Sequence, residues 1–226
     1  MGPTGPTRTR MFQYRLAPIQ MGYLGYPGTM GAPFLDYMIA DPFVIPRSER
    51  EHYGEKIVFL PNTYLPADNR RPIAANPGTR ADHGLPEKGF VFCSFNNSYK
   101  ITPAEFDIWC RLLARVDGSV LWFSQNTPFV EANLRREAAA RGVDPSRLIV
   151  AQRVAGNDQH LARLRHGDLF LDTFNYNAHT TASDALWAGL PIITKYGRSF
   201  ASRVAASVLF AMRVPELAVR STENYE

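Results

Sequence analysis

Residues 172–189 read DTFNYNAHTTASDALWAG, and the rest of the chain is organised around this stretch. An apolar run, Asp168-Leu169-Phe170-Leu171-Asp172, enters a polar loop that carries His179-Thr180-Thr181. A second apolar run with Ala182, Ala185, Leu186 and Ala188 then stops at Gly189. A strand, a loop and a helix start leave backbone N–H groups pointing out of the positive end of a helix dipole. Two hydroxyls and an imidazole stand at that end. Phosphate binding is one reading. A plain helix cap, Thr181 with Asp184 three residues on, is the other. Neighbouring segments have to decide between them.

Outward from this stretch, apolar strand runs at 90–95, 120–123, 148–151, 169–172 and 192–194 alternate with helical patterns. Thr102-Pro103-Ala104-Glu105 reads as a capping box with proline at the first helical position. Phe106, Trp109, Cys110 and Leu113 follow on one helix face, and Gly118 closes the segment. Thr127-Pro128 opens a helix that Gly142 ends. Shorter helices are predicted at 158–165 and 183–188, and a last one at 198–212. Strand and helix repeated about five times with short links predict an α/β fold with a parallel, doubly wound sheet. Ligands of such sheets bind beyond the strands' C-terminal ends. The loops to watch are therefore 96–100, 153–158 and 173–181.

The first third has a different texture. Residues 1–14 are rich in Gly, Pro, Thr and Arg and read as a disordered tail. Residues 18–24 read as a strand. Gly25-Tyr26-Pro27-Gly28-Thr29-Met30-Gly31 is a loop whose glycines permit either close backbone approach to a ligand or a tight turn; it is not the dinucleotide G-x-G-x-x-G pattern. A short helix at 32–35, a strand at 37–40, a polar helix at 46–55 and a strand at 57–60 are expected next. Residues 61–88, with five prolines and two glycines, read as the passage between two lobes.

Composition narrows the class. A chain of 226 residues with 45% hydrophobic and 20% charged residues is of ordinary globular type. The net charge of +4 is mild and scattered, so nucleic acid is not implied. No apolar run approaches the ~18 residues of a membrane helix, and the N-terminus lacks a signal peptide's apolar core. A cytoplasmic protein with no membrane partner is the expectation. Cys93 and Cys110 fit no zinc or redox spacing and read as buried structural thiols. No cluster with metal-ligand spacing occurs, so no metal or other cofactor is expected.

Lys100, after Asn96-Asn97-Ser98-Tyr99, follows a strand directly and can place a cation on a phosphate; a solvated surface lysine is the alternative. His160 and Arg163 share a helix face and can hold a planar base by stacking and hydrogen bonding, or can simply be a surface pair. His52, His83 and His166 have no comparable context. Asp184 can cap the helix, bind a ribose hydroxyl, or do both.

Taken together, LGYPGTMG with FLDYMIAD, FNNSYKITP, RVAGNDQHLAR, NAHTTASDALWAGLPIIT and ASRVAAS resemble, in order, the catalytic region of the O-linked N-acetylglucosamine transferase and SPINDLY family, from about Leu16 to Glu226. The resemblance implies a two-lobed GT-B glycosyltransferase: an N-lobe end at 15–60, a linker at 61–88 and a nucleotide-sugar-binding C-lobe at 89–226. It further implies inverting, metal-independent transfer of N-acetylglucosamine from UDP-N-acetylglucosamine to Ser or Thr of proteins. In that frame Lys100 corresponds to the lysine that contacts the diphosphate and assists its departure, and Asn97 lies near the phosphates. His160 corresponds to the uracil-stacking histidine, with Ala155 and Arg163 as base contacts. His179, Thr180 and Thr181 form the phosphate triplet, and Asp184 binds ribose. Gly25, Pro27, Gly28 and Thr29 belong to the sugar-side loop. Asn157 departs from the family pattern, where some relatives use a lysine for the ribose. The family's upstream tetratricopeptide repeats and the start of its N-lobe are not in this sequence, which implies a partial chain. A GDP-fucose donor of the SPINDLY type, towards which Asn96-Asn97 leans, and a non-catalytic nucleotide-sugar-binding remnant are the alternatives.

Overall fold

The computed structural model describes residues 8–226. Two parallel sheets carry the chain. The smaller one holds β1 (Met21–Gly22), β2 (Tyr37–Ala40) and β3 (Lys56–Phe59) in sequence order. The larger one is built from β4 (Val91–Ser94), β5 (Val120–Ser124), β6 (Leu148–Ala151), β7 (Leu169–Leu171), β8 (Ile192–Lys195) and β9 (Ala218–Val219). Its order is β6-β5-β4-β7-β8-β9, and every pairing is parallel.

Successive strand residues point to opposite faces, and each face has its own core. Val91, Cys93, Val120, Trp122 and Phe170 pack with Leu161 of α3 (Asn157–Arg163), Ala182 and Ala185 of α4 (Thr180–Ala188), and Ala205 and Leu209 of α5 (Val204–Ala211). Phe92, Leu121, Phe123 and Leu171 pack with Phe106, Trp109 and Leu113 of α1 (Pro103–Arg115), Ala138 of α2 (Pro128–Ala140) and Tyr225 of α6 (Thr222–Tyr225). The expected doubly wound sheet is thus present, covered on both sides. Both cysteines are buried and unpaired.

Several expectations change. Met1 to Thr7 lie outside the described residues, but Thr9–Tyr14 of the supposed tail is a 3-10 helix. It is held in part by the Gln20 side-chain amide, which donates to Phe12 O at 2.8 Å. The strand expected at 18–24 shrinks to two residues, since Leu24 takes a positive φ of 63° that ends extended pairing. Residues 32–35 make a single turn closed by Leu35 N donating to Ala32 O, not a helix. The polar segment at 46–55 is the 3-10 helix Arg47–His52. The last predicted helix starts later, at Val204, because the Ser199 hydroxyl caps a 3-10 turn, Phe200–Ser202, in front of it. β9 and α6 are too short to show any periodicity and were not anticipated.

The two sheets are joined by a buried carboxylate. Asp41, fully buried, accepts from the Phe43, Val44 and Tyr64 amides and from the Ser207 hydroxyl on α5 at 2.7 Å. Phe200 and Val204 enter the apolar cluster of Met38, Ala40, Val44, Ile45 and Tyr64. The intervening segment is not a loose link. Ile73 packs on the core of the large sheet, Ala74 N donates to Asp158 O at 3.1 Å, and the ring nitrogens of His83 and His166 meet at Pro77 O.

Candidate functional site

The strand order places the topological switch between β4 and β7: the chain winds outward to β5 and β6 on one side and to β8 and β9 on the other. Loops leaving strands on either side of such a switch open a crevice. The loops after β4 and β7 therefore face each other, and together they carry Asn97, Lys100, His179, Thr180 and Thr181. These residues line one cleft of about 420 Å3 with Tyr99 and Tyr176, closed from the small-sheet side by Leu24, Gly25, Tyr64, Leu65 and Pro66.

A buried carboxylate sets the shape of that crevice. Asp172 sits at the end of β7, fully buried. Its Oδ1 accepts from Asn96 Nδ2 at 3.0 Å, Thr173 N at 2.8 Å and Ala178 N at 2.6 Å, and its Oδ2 accepts from the Thr194 hydroxyl at 2.6 Å. Burial raises its pKa to about 6, against these hydrogen bonds, which favour the anion. Asn96 ties the two loops together, since its Oδ1 accepts from the Thr181 hydroxyl at 3.2 Å. The loop so shaped presents Asn177 O to the Lys100 ammonium at 3.0 Å, which also lies 4.0 Å from the Tyr176 ring centroid. Tyr176 in turn stacks on His179, with centroids 4.7 Å apart and planes 18° from parallel.

The ammonium is half-buried, and loss of hydration lowers its pKa to about 8 while Asp172 opposes the change. His179 is lowered to about 4 by burial and by the Lys100 charge, so it is neutral at pH 7. Its Nε2 faces Ala201 O at 3.3 Å, and a carbonyl only accepts, so that nitrogen carries the ring proton and Nδ1 is an acceptor. The donors at this end of the cleft are thus Lys100, the Thr180 hydroxyl, and the N–H groups of Thr180 and Thr181 at the start of α4, ahead of Ala182 N, the first in the helix to donate to His179 O.

Glycosyl transferase family 41 matches residues 1–76 and 72–226. The chain belongs to this family. It is 39% identical over its full length to the Arabidopsis thaliana protein described as a probable UDP-N-acetylglucosamine–peptide N-acetylglucosaminyltransferase SEC, covering 24% of that protein. It is 32% identical to a Petunia hybrida SPINDLY protein described in the same terms, again over 24% of its length. The chain thus spans about a quarter of these relatives. Among solved structures, a mutant O-GlcNAc transferase of Thermobaculum terrenum superposes on 96% of the chain with a TM-score of 0.84 and 31% identity, the match covering 41% of that chain. The two parallel α/β sheets about a cleft are the GT-B architecture of the family.

Other residues singled out in the family 41 sequence fall as follows. His160 and Arg163 do share a face of α3, but they bond each other, Arg163 Nη2 meeting His160 Nδ1 at 2.9 Å. Arg163 is buried, donates to Gln152 O, and lies over the rings of Phe95 and Trp122. It anchors the imidazole from behind. Burial lowers the His160 pKa, and Asp184 is near enough for its charge to oppose that shift. Ala155 is exposed at the bend before α3. The cap reading of Thr181 with Asp184 does not hold: α4 begins at Thr180 with His179 as its N-cap, and Asp184 pairs with Arg71. In the glycine loop only Gly25 reaches the cleft. The Thr29 hydroxyl donates to Glu55 at 2.5 Å, and Glu55 also accepts from Met30 N at 2.7 Å. Asn96, Asp172, Tyr176, Arg71 and Glu55 were not identified as site residues from the sequence. Asp172 and Asn96 are polar groups ending apolar strands, a signal that could have found them; the other three have no local mark. Among the described residues, no group of three or more His, Cys, Asp or Glu is placed to share a metal ion, and no helix is long and apolar enough to cross a membrane.

Proposed function

We propose that this chain is the nucleotide-sugar-binding part of a protein O-glycosyltransferase that moves N-acetylglucosamine from UDP-N-acetylglucosamine to Ser or Thr hydroxyls, with inversion and without a metal. The observation that carries this reading is the half-buried Lys100 ammonium, 4.0 Å from the Tyr176 ring and beside the start of α4 in a cleft lined from both sheets. In the reaction, the acceptor hydroxyl oxygen bonds to the anomeric carbon and releases its proton to water as the bond to the β-phosphate oxygen breaks. Negative charge grows on the departing UDP. Fixed donors aimed at growing charge in a partly dry site stabilise it more than water does, and Lys100 with the Thr180 and Thr181 groups forms such a set. His160 on α3 is the base-side contact, backed by Arg163. Asp184 is the acceptor for ribose hydroxyls, and Gly25 is the sugar-side contact, with Pro27, Gly28 and Thr29 of the same loop behind it. A cytoplasmic site of action is part of the same proposal.

Asn97, which lines the cleft, keeps a GDP-fucose donor as the second reading. Titration calorimetry with UDP and GDP on the 226-residue chain separates the two. Binding of UDP, lost in Lys100→Ala, supports the first; preference for GDP supports the second; binding of neither overturns both.

A further inference from the structure

We propose that Arg71, in the segment between the two sheets, is a positioning residue for the donor's ribose, holding the Asp184 carboxylate in the orientation that receives the sugar hydroxyls. The inference rests on the nucleotide reading above and adds to it a residue 113 positions away in the chain. Arg71 Nη1 bonds Asp184 Oδ1, and Nη2 reaches the Ser183 hydroxyl at 3.3 Å. Its backbone carbonyl accepts from Trp187 Nε1 at 3.2 Å, and its guanidinium lies 5.7 Å from the Trp187 ring centroid. One arginine therefore meets Ser183, Asp184 and Trp187, three residues within one turn of α4, from outside the helix. Both partners of the ion pair are mostly shielded, with 17% and 11% of their side chains exposed.

The location fits a ligand-directed role. Arg71, Asp68, Thr180 and Ser183 line a small cavity that shares Leu65, Pro66 and Thr180 with the Lys100 cleft. It continues the cleft along α4 from Thr180 to Ser183, the neighbour of Asp184. A carboxylate offers about four acceptor positions, and Arg71 engages one oxygen, which leaves Oδ2 for vicinal hydroxyls. The same segment is pinned to the start of α3 through Ala74 N and Asp158 O. Its clamp thus spans α3, which carries His160, and α4, which carries the phosphate-end donors. An arginine suits this role because its planar fork fixes the orientation of the carboxylate as well as its charge.

Calorimetry with UDP and with 2′,3′-dideoxy-UDP on the 226-residue chain tests the assignment. The wild type is expected to prefer UDP by on the order of 10-fold, the worth of a hydroxyl bonded to a charged acceptor. Asp184→Asn and Arg71→Ala are each expected to remove most of that preference, and the double variant to be no worse than either single one. Arg71→Lys should restore it in part. Arg71→Met, which keeps an apolar stem over Trp187, carries the same comparison should the alanine variant fail to fold. An Arg71 variant that keeps the full preference for UDP overturns the inference while leaving the nucleotide reading intact, and so does one that binds UDP more tightly, for then Arg71 blocks the site. A wild type that binds UDP without preferring the ribose overturns it too. A wild type that binds neither ligand overturns both the inference and the reading beneath it.

Discussion

Raising the pH from 7 to 8.5 should discharge Lys100 and weaken donor binding. Burial holds this ammonium near a pKa of about 8 in the ligand-free protein. The charged fraction then falls from about nine tenths at pH 7 to about one quarter at pH 8.5, so affinity for a diphosphate that needs the cation drops roughly fourfold. The sign follows from the charged form being the one that binds. A bound diphosphate stabilises the ammonium and raises its pKa, so binding at pH 8 takes up about half a proton. UDP-N-acetylglucosamine is the ligand of choice, because its diphosphate is esterified at both ends and carries no proton near this pH. Calorimetry in two buffers of different ionisation heat reads the uptake directly. Lys100→Met should abolish it and weaken binding at pH 7 by roughly 10- to 100-fold, the worth of a charge-assisted hydrogen bond of about 1.5–3 kcal/mol. Lys100→Arg should keep the charge and show no step near pH 8. Equal enthalpies in the two buffers at pH 8, with affinity flat from pH 7 to 8.5, would refute the reasoning: the ammonium would then be fully charged throughout and its burial without effect.

Asp172→Asn puts an amide against donors that now meet a carboxylate, and should lower stability by about 1–3 kcal/mol in denaturant melts. Because burial raises the Asp172 pKa from 3.8 to about 6, the folded wild type retains a proton that the unfolded chain releases between these values. That stabilising contribution is complete below about pH 4 and is lost as pH rises through about 6; the asparagine variant should lack this slope, measured as midpoints at pH 4.5 and 7. Glu55→Ala frees Thr29 and the Met30 amide, and should weaken UDP-N-acetylglucosamine binding by about 3- to 10-fold through loss of an ordered loop while leaving UDP binding unchanged; equal losses for both ligands would separate the glycine loop from the sugar.

Much of the scaffold is local and therefore legible in one dimension. Strands β4, β5, β6 and β8 stand where short apolar runs stand, because a strand covered on both faces needs no polar alternation. The Thr102–Glu105 pair marks the start of α1, where Glu105 accepts from Thr102 N at 3.1 Å. The same Glu105 also accepts from Phe174 N at 2.7 Å, and that second bond, joining α1 to the loop after β7, has no trace in the local pattern. Propensity misled in the first third, where proline and glycine dominate and tertiary contacts decide between 3-10 turns and helices.

By itself, the order of residues determined an α/β chain with its polar groups at strand ends, since caps, turns and apolar runs act over a few positions. Only the tertiary structure decided that β4 lies beside β7. That single adjacency brings Lys100 to the start of α4 and lets Asn96 bridge Asp172 and Thr181. The position of Arg71 on Asp184 and the burial that moves Lys100 and His179 from their ordinary pKa values belong to the same class. Strand order and burial arise from packing among segments far apart in the chain, and desolvation acts on a charge only once those segments have closed around it.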